Sequence, residues 1–346
     1  MASLPGAVHD PAPQTGREAR WWRAYLPVAV VAVVLAPVPG VAGSSRYAMT
    51  LAISLLTFAS YAVAFNLILG STAQLFLCQG ALAGTAAYTA VILGNELAVP
   101  LLASIPAGVL LAATLGGLFS WVAARRGLDA IFTGVVTLAF SLVFTNLLLG
   151  GRGLTGGETG LVVDADVVGL LRAQVPAYYL LLAVLVVFLA GYRLLERSHH
   201  GWAFRALRDD PAAAELAGVD VTRHKVVAGA IGSAMLGTSG TLFALHEGFF
   251  SPSTFGFGEV DLRVLVMLAF GGIGTLVGPV VGAVAIVLVD ELLRPLAQLR
   301  LTVYGLALIG LFLGLRQGVV PVVTRRLRRP NARGGGVRAT GSRRRL

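Results

Sequence analysis

The stretch "YAMTLAISLLTFASYAVAFNLIL" (Tyr47–Leu69) runs for 23 residues without an Asp, Glu, Lys or Arg. About 20 apolar residues in a helix cross the ~30 Å hydrocarbon core of a membrane, because each residue adds about 1.5 Å. The charge-free run continues to residue 95, with an interruption near Gly70–Ser71. It therefore predicts two consecutive membrane-spanning helices.

The rest of the chain repeats this pattern. Only 13% of the 346 residues are charged, against about 25% in soluble domains. Further charge-free runs cover 24–45, 97–124, 130–151, 173–192, 226–245 and 264–289. The composition predicts an all-α, polytopic membrane protein with about eight to ten transmembrane helices. The predicted spans are 25–43, 47–69, 74–94, 101–123, 129–149, 177–195, 226–246, 262–274, 277–296 and 301–320.

Two of these spans carry additional signals. The eighth and ninth enclose the glycine-rich stretch "AFGGIGTLVGPVVGA" (Ala269–Ala283), so 262–296 is expected to be broken or re-entrant. Broken backbone at membrane depth is tolerated where protein buries it or where it lines a cavity. The first span follows arginines and resembles a secretory signal, but its length favours an uncleaved helix.

The distribution of basic residues predicts the orientation, because cytoplasmic loops are enriched in Lys and Arg. With ten spans and both termini inside, inner segments carry 21 of the 27 basic residues, which leaves 27 − 21 = 6 outside. The predicted organisation is a disordered basic tail at 1–23, a transmembrane domain at 24–321 and a disordered basic tail at 322–346. A cytoplasmic loop occupies 197–225. The C-terminal basic tail is read as membrane-proximal, not as nucleic-acid-binding.

The sequence argues against chemistry carried out by this chain alone. Its only lysine, Lys225, lies between His224 and Val226, so the Gly-Lys-Ser/Thr loop that holds nucleotide phosphates is missing. The single Cys78 cannot form an intramolecular disulfide, and no metal site is expected. "GTSG" (Gly237–Gly240) is interpreted as a close-packing surface between helices. The chain is thus predicted not to be an enzyme, and any ATP would bind another subunit.

The interior of the predicted spans is polar mainly through uncharged residues. Ion-coupled carriers usually place ionisable side chains within their spans, and almost none occur here. This pattern favours a gated path for a neutral or zwitterionic solute. The candidate path-lining residues are Asn66, Gln74, Gln79, Thr137, Gly271, Gly272 and Gly274.

One polar segment, "RALRDDPAAAELAGVD" (Arg205–Asp220), separates the sixth and seventh spans. Asp210 is a favoured helix N-cap, Pro211 suits the first helical position, and Gly218 suits the carboxyl end. They frame a helix of about two turns, roughly 10 Å long. Helices this short are marginal in water, so this one is expected to pack against something on the inner side.

Four stretches, taken in order, resemble the permease subunits of branched-chain amino acid ABC transporters. "GWAFRALRDDPAAAELAGVDVTRHK" (Gly201–Lys225) resembles the cytoplasmic loop of that family, and the resemblance extends over about 45–320. The other stretches are "VTLAFSLVFTNLLLGGRGLTGGETGL" (Val136–Leu161), "SAMLGTSGTLFA" (Ser233–Ala244) and "MLAFGGIGTLVGPVVGA" (Met267–Ala283). The segment Ser71–Ile92 departs from the family through Phe76, Cys78 and Leu82.

The resemblance implies a subunit of an importer in the plasma membrane of a prokaryote. Two cytoplasmic ATPases would bind ATP and Mg, a second homologous permease would complete the path, and an extracytoplasmic binding protein would deliver solute near the 150–175 and 247–261 loops. The implied cargo is leucine, isoleucine and valine, with urea, short amides or other amino acids as alternatives. A free-standing channel or secondary carrier is the alternative of a different class. The residues implied in ATPase coupling are Arg205, Arg208, Asp209, Asp210, Ala212, Ala213, Glu215 and Gly218.

Overall fold

The computed structural model describes residues 15–42, 45–164 and 169–294, together with residues 302, 303, 305, 306 and 310. In the first half the helices are α1 (Thr15–Leu35), α2 (Val38–Ala42), α3 (Arg46–Thr72), α4 (Gln79–Leu97), α5 (Leu101–Arg125), α6 (Ala130–Gly150) and α7 (Arg152–Thr155). They continue with α8 (Gln174–Arg197), α9 (His199–Asp209), α10 (Pro211–Leu216), α11 (Val221–Glu247), α12 (Asp261–Gly271) and α13 (Gly278–Leu292).

Short irregular elements connect these helices. Single 3₁₀ turns occur at Gly157–Thr159, Gly169–Arg172 and Pro252–Phe255. The two-residue strands β1 (Leu161–Val162) and β2 (Phe249–Phe250) pair antiparallel and join the loops that follow α7 and α11.

Among the described residues, five helices are long and apolar enough to cross a membrane: α3, α5, α6, α8 and α11. They contain the predicted spans 47–69, 101–123, 177–195 and 226–246, and α6 begins one residue after the start of the predicted span 129–149. The predicted class, a helical multi-pass membrane protein, is confirmed. The predicted span 301–320 lies outside the described residues apart from five single positions.

The first predicted span differs from the structure at both ends. Helix α1 begins at Thr15, so it includes residues 15–23 of the segment predicted to be a disordered tail. The span 25–43 is interrupted after Leu35, and α2 begins only at Val38. Pro37 lies in this interruption, where a ring without an N–H cannot continue the hydrogen-bond ladder.

Three further predicted spans are not continuous transmembrane helices. The helix predicted from residue 74 begins only at Gln79, and the chain from 73 to 78 is not helical. Helices α12 and α13 hold 11 and 15 residues, roughly 16 and 22 Å at 1.5 Å per residue, which is shorter than the membrane core. The break between them agrees with the predicted interruption of 262–296.

Helices α3 and α11 form the centre of the bundle. In their most apolar windows 72% and 61% of residues are buried, against 28% and 33% for α5 and α6. Small residues permit this packing: a Cβ at Gly240 would lie 2.7 Å from the Cβ of Ala83 on α4. The predicted packing role of Gly237–Gly240 is confirmed.

The outer helices present apolar side chains away from the bundle. On α6, Phe132, Leu142 and Val143 are all more than half exposed. A surface of this kind on a membrane-spanning helix matches the apolar environment of lipid chains. The lipid-facing side of the molecule therefore includes α6, whereas α3 and α11 lie inside.

Candidate functional site: a capped helix and two helix breaks

The first part of the site is α10, whose amino-terminal end is formed by Asp210 and Pro211. The Asp210 carboxylate accepts hydrogen bonds from the N–H groups of Ala212 at 2.9 Å and Ala213 at 3.1 Å. Pro211 occupies the start of the helix, where no donor is needed. The predicted N-cap is confirmed, and it fixes the angle between α9 and α10.

The carboxyl-terminal end of α10 depends on Gly218. This residue has φ +84°, a left-handed conformation that glycine adopts without steric cost. The Gly218 N–H donates to the Glu215 carbonyl at 2.9 Å, and the Val219 N–H donates to the Ala214 carbonyl at 3.0 Å. Asp220 then caps α11 by accepting from the Arg223 N–H at 2.8 Å. The whole connection from α9 to α11 is hydrogen-bonded and therefore stiff.

Only one face of α10 packs on the rest of the chain. Ala214 is buried, whereas Ala212, Ala213 and Glu215 are exposed. Leu216 is 92% exposed, which leaves nearly the whole leucine side chain in solvent. Single exposed leucines are common on protein surfaces, but this one lies on a helix that is capped at both ends and packed on one face, which makes it a candidate contact for another protein. Sequence reasoning missed it, although its place beside Glu215 in the "AAAELA" helix was visible.

Helix α9 carries the remaining residues predicted for coupling. Arg205 is exposed, and its guanidinium carbon lies 4.6 Å from the ring centroid of Trp202. Trp202 is itself 73% exposed and was not singled out from the sequence. Asp209 is also exposed, and its Oδ1 lies 4.0 Å from Nε of Arg208.

Arg208 differs from its neighbours because it also reaches the bundle. Its side chain is 46% exposed, and it lines a small cavity with Leu67, Tyr192 and Gly274. A Cβ at Gly274 would overlap Nη1 of Arg208. Since Gly274 lies between α12 and α13, Arg208 places α9 in contact with the break in this helix pair.

The α12–α13 break is held by a side-chain amide of α3. Asn66 Nδ2 donates to the Thr275 carbonyl at 2.9 Å, and Asn66 Oδ1 accepts from the Gly274 N–H at 2.7 Å. Gly272 and Gly274 have φ +115° and +76°, conformations that favour glycine. A Cβ at Gly271 would overlap the Gly278 carbonyl oxygen. The structure thus assembles four of the predicted path residues at one break.

The break before α4 is held by Thr137 and Asp261. Thr137 Oγ1 accepts from the Leu77 N–H at 2.9 Å. Asp261 is fully buried, and its carboxylate accepts from the Gln79 N–H and, at 3.4 Å, from the Gly80 N–H. A carboxylate at a helix amino terminus satisfies free donors and the helix dipole. Sequence reasoning missed Asp261 because its partners lie about 180 residues away.

The remaining predicted path residues belong to this second break. Gln74 is buried and donates to Thr72 Oγ1 at 2.7 Å and to the Lys225 carbonyl at 3.2 Å. The side-chain oxygens of Gln74 and Gln79 have no hydrogen-bond partner among the described residues. The predicted residues therefore divide between the two breaks, and their contact with a solute stays a prediction.

The described part of the chain brings together no group of three His, Cys, Asp or Glu residues that could hold a metal ion. The site is built from caps, amide clamps and close-packed glycines. Such an arrangement fixes the positions of helix ends and breaks.

The structure defines the chain as a multi-pass helical membrane protein with a capped connecting helix at one end and two helix breaks inside. The model of the branched-chain amino acid transport system / permease component family matches residues 47–315. The chain belongs to this family, and the resemblance predicted over 45–320 is confirmed.

Individual relatives agree with this assignment. The chain is 26% identical over 321 residues to the high-affinity branched-chain amino acid transport system permease protein LivM of Salmonella typhimurium, covering 85% of this chain and 75% of LivM. It is 27% identical over 322 residues to LivM of Escherichia coli, with the same coverage. The ribose import permease protein RbsC of Haemophilus influenzae is 26% identical over 215 residues, or 59% of this chain and 64% of RbsC. No solved structure matches significantly.

Proposed function

We propose that this chain is the permease subunit of an ATP-driven importer of leucine, isoleucine, valine or related small neutral solutes. The breadth of the match to LivM, 85% of the chain, supports a branched-chain amino acid over ribose, since the match to RbsC covers 59%. Urea, short amides and other amino acids remain the alternative cargo to be compared in uptake assays.

The observation that carries the ATP-driven mechanism is the 92% exposed Leu216 on a helix capped at both ends. A helix of six residues is not stable alone in water, yet Asp210 and Gly218 hold this one rigid. We infer that Leu216 inserts into a cytoplasmic ATPase subunit. The surface around Leu216 that would contact the ATPase consists of Arg205, Asp209, Ala212, Ala213 and Glu215.

Stiffness is the physical requirement for such a helix. A flexible connection would absorb the displacement of the ATPase, whereas the hydrogen bonds of Asp210, Gly218 and Asp220 transmit it to α9 and α11. Arg208 extends this connection inward, because it touches Gly274 at the break that Asn66 holds. We infer that movement of α9 shifts the α12–α13 break, and that both helix breaks border the solute path.

The proposed complex contains two ATPases that bind ATP and Mg, a second permease and an extracytoplasmic binding protein. The α10 end of the bundle would face the cytoplasm of a prokaryotic cell, with both termini on that side. This chain would bind no nucleotide or metal of its own.

Uptake into proteoliposomes tests the proposal. The complex purified through this chain is reconstituted with ATP inside and radiolabelled leucine plus binding protein outside. We expect ATP-dependent accumulation that unlabelled isoleucine and valine suppress more strongly than urea or ribose. Equal uptake with and without ATP would instead assign the chain to the channels or carriers.

A further inference from the structure

A groove with polar and charged walls runs along one side of α3, where α12 and α13 leave part of that helix uncovered. Two adjoining cavities of about 410 and 300 Å³ form it, and both are lined by Ser54, Phe58 and Arg263. Volumes of roughly 300 to 1,000 Å³ are typical of small-molecule sites. The groove therefore has room for a small solute.

The groove extends along α3 through much of the membrane. At one end it is lined by Tyr47 and Glu291, at the opposite end of the bundle from α10. At its other end the groove is lined by Tyr61. Tyr61 lies 14 residues after Tyr47 on α3, which is roughly 21 Å at 1.5 Å per residue. The groove thus covers more than half of the ~30 Å hydrocarbon thickness.

The walls of the groove are unsuited to lipid. Glu259 and Arg263 form an ion pair in which the Arg263 side chain is 11% exposed and the Glu259 side chain 55% exposed. Charged side chains at membrane depth normally face protein or a water-filled cavity, because contact with hydrocarbon is costly. The apolar surface of α6, with Phe132 and Val143, shows what the lipid-facing side of this chain is like. Among the described residues nothing covers the groove, and its walls suit water, a polar solute or another protein surface better than lipid.

The groove also has apolar walls. Tyr61 and Phe255 contribute to the inner cavity but are almost completely buried, at 2% and 1% exposed. Phe58 is half-buried and lines both cavities. The apolar ring surface open to a solute is therefore that of Phe58.

We propose that this groove is the outer part of the wall that the present chain contributes to the solute path, on the side of the helix breaks away from α10, and that it binds a zwitterionic α-amino acid through Arg263 and Glu259. The planar Arg263 guanidinium would bind the carboxylate, since its paired N–H donors match two carboxylate oxygens. The half-exposed Glu259 carboxylate accepts from the ammonium group, and Phe58 contacts an apolar side chain. The second permease closes the open side. This inference rests on the proposed function and adds the residues that meet the solute.

Cysteine accessibility tests whether the groove is an aqueous path. In a Cys78→Ala background, Ser54→Cys in the groove and Val143→Cys on α6 are each labelled, in membranes containing the assembled complex, with a charged, membrane-impermeant thiol reagent. We expect Ser54→Cys to react and Val143→Cys to stay unlabelled, because the reagent needs water to reach and ionise the thiol. Equal protection of both thiols would overturn the proposal, since it places lipid or tightly packed protein over the groove.

Conservative variants test the binding of an amino acid. We expect Arg263→Lys and Glu259→Gln each to raise the half-saturating leucine concentration about tenfold, as the loss of one charged hydrogen bond does. Arg126→Lys and Glu96→Gln, at exposed positions outside the groove, the coupling segment and the outer loops, should leave uptake unchanged. ATP hydrolysis stimulated by the binding protein should persist in all four.

A charge swap separates solute binding from a merely structural ion pair. The double variant Glu259→Arg with Arg263→Glu keeps an ion pair but reverses the charges that meet the solute. We expect the complex to assemble and leucine uptake to stay low. Full recovery of uptake would overturn the proposal, because it assigns the pair to structure alone. A failure of the proposed function gives a different result from a failure of this inference. Wild-type vesicles would then show no ATP-dependent uptake, whereas the labelling of Ser54→Cys and Val143→Cys would still report whether water reaches the groove.

Discussion

Asp261 joins two helix ends that are far apart in the sequence. Its buried carboxylate accepts from N–H groups at the start of α4 and itself begins α12. We expect Asp261→Ala to lower the free energy of unfolding by about 1–3 kcal/mol for each buried donor left unpaired. Thermal unfolding of the detergent-solubilised protein, followed by intrinsic fluorescence, measures the loss.

Asp129 provides the matched control for this prediction. It caps α6 by accepting from the Phe132 N–H at 2.8 Å, in an exposed setting. Water can replace such a cap, and Asp129→Ala should cost only about 1 kcal/mol. Equal losses for the two variants would contradict the special role of the buried carboxylate.

Gly282 fixes the separation of α12 and α13. A Cβ at this position would overlap the carbonyl oxygen of Met267. We expect Gly282→Ala to separate the helix pair and reduce the yield of folded protein, because backbone cannot move aside as a flexible side chain can. Size-exclusion chromatography in detergent reports the folded fraction.

Gly191 is the comparison position for Gly282. It lies in the interior of α8, and a methyl group added there would have nothing within 4 Å. Ala is the better helix former by about 1 kcal/mol, so Gly191→Ala should keep or increase the folded yield. A similar decline in both variants would show that contact with the Met267 carbonyl is not the cause.

Single residues were predictable where their partners are local. Asp210 bonds to N–H groups two and three residues ahead, and Gly218 ends the same helix, so the sequence of that segment contains both signals. Asp261 bonds to residues 182 and 181 positions away. Nothing in its sequence neighbourhood indicates them, and only the tertiary structure reveals the cap.

At the scale of elements, the account depends on the rigidity of α10. Proline is fixed near φ −65° and cannot adopt the φ of +84° found at Gly218. We expect Gly218→Pro to abolish ATP-driven uptake while the chain still inserts into the membrane. Glu215→Lys, which reverses an exposed charge on α10, should do the same. Uptake in vesicles and the amount of chain in the membrane fraction are measured together.

Gly127 supplies the control at the same end of the bundle. It also has a positive φ, +61°, and it has open space around it in the α5–α6 turn. Gly127→Pro therefore damages a similar turn outside α10 and should retain substantial uptake. Normal uptake in Gly218→Pro and Glu215→Lys would remove the coupling role from α10.

Elements were predictable where hydropathy and helix length coincide. The spans 47–69 and 101–123 fall within α3 and α5 because both are continuous apolar helices. The non-helical stretch from 73 to 78 contains the apolar residues Leu75–Cys78 and looks like the start of a span. In this stretch the Leu77 N–H donates a hydrogen bond to Thr137 Oγ1 on α6. Hydropathy does not detect such tertiary hydrogen bonds.

At the scale of the whole molecule, the chain has faces of different character. The apolar surface of α6 matches lipid, the polar groove beside α3 does not, and α10 presents Leu216 beyond the end of the bundle. These faces fit the proposed complex, in which a second permease covers the groove and ATPases dock at α10.

Co-purification from a mild detergent tests this account most directly. The tagged chain, co-expressed with its natural partners, is isolated as wild type, as Leu216→Asp, and as Leu154→Asp, which changes another exposed leucine in α7. Mass spectrometry identifies the proteins recovered with each. We predict an ATPase with a phosphate-binding loop and a second permease with wild type and Leu154→Asp. Leu216→Asp should retain the permease and lose the ATPase. Recovery of the ATPase with all three chains would contradict docking through Leu216, and its absence from the wild-type complex would contradict ATP-driven transport.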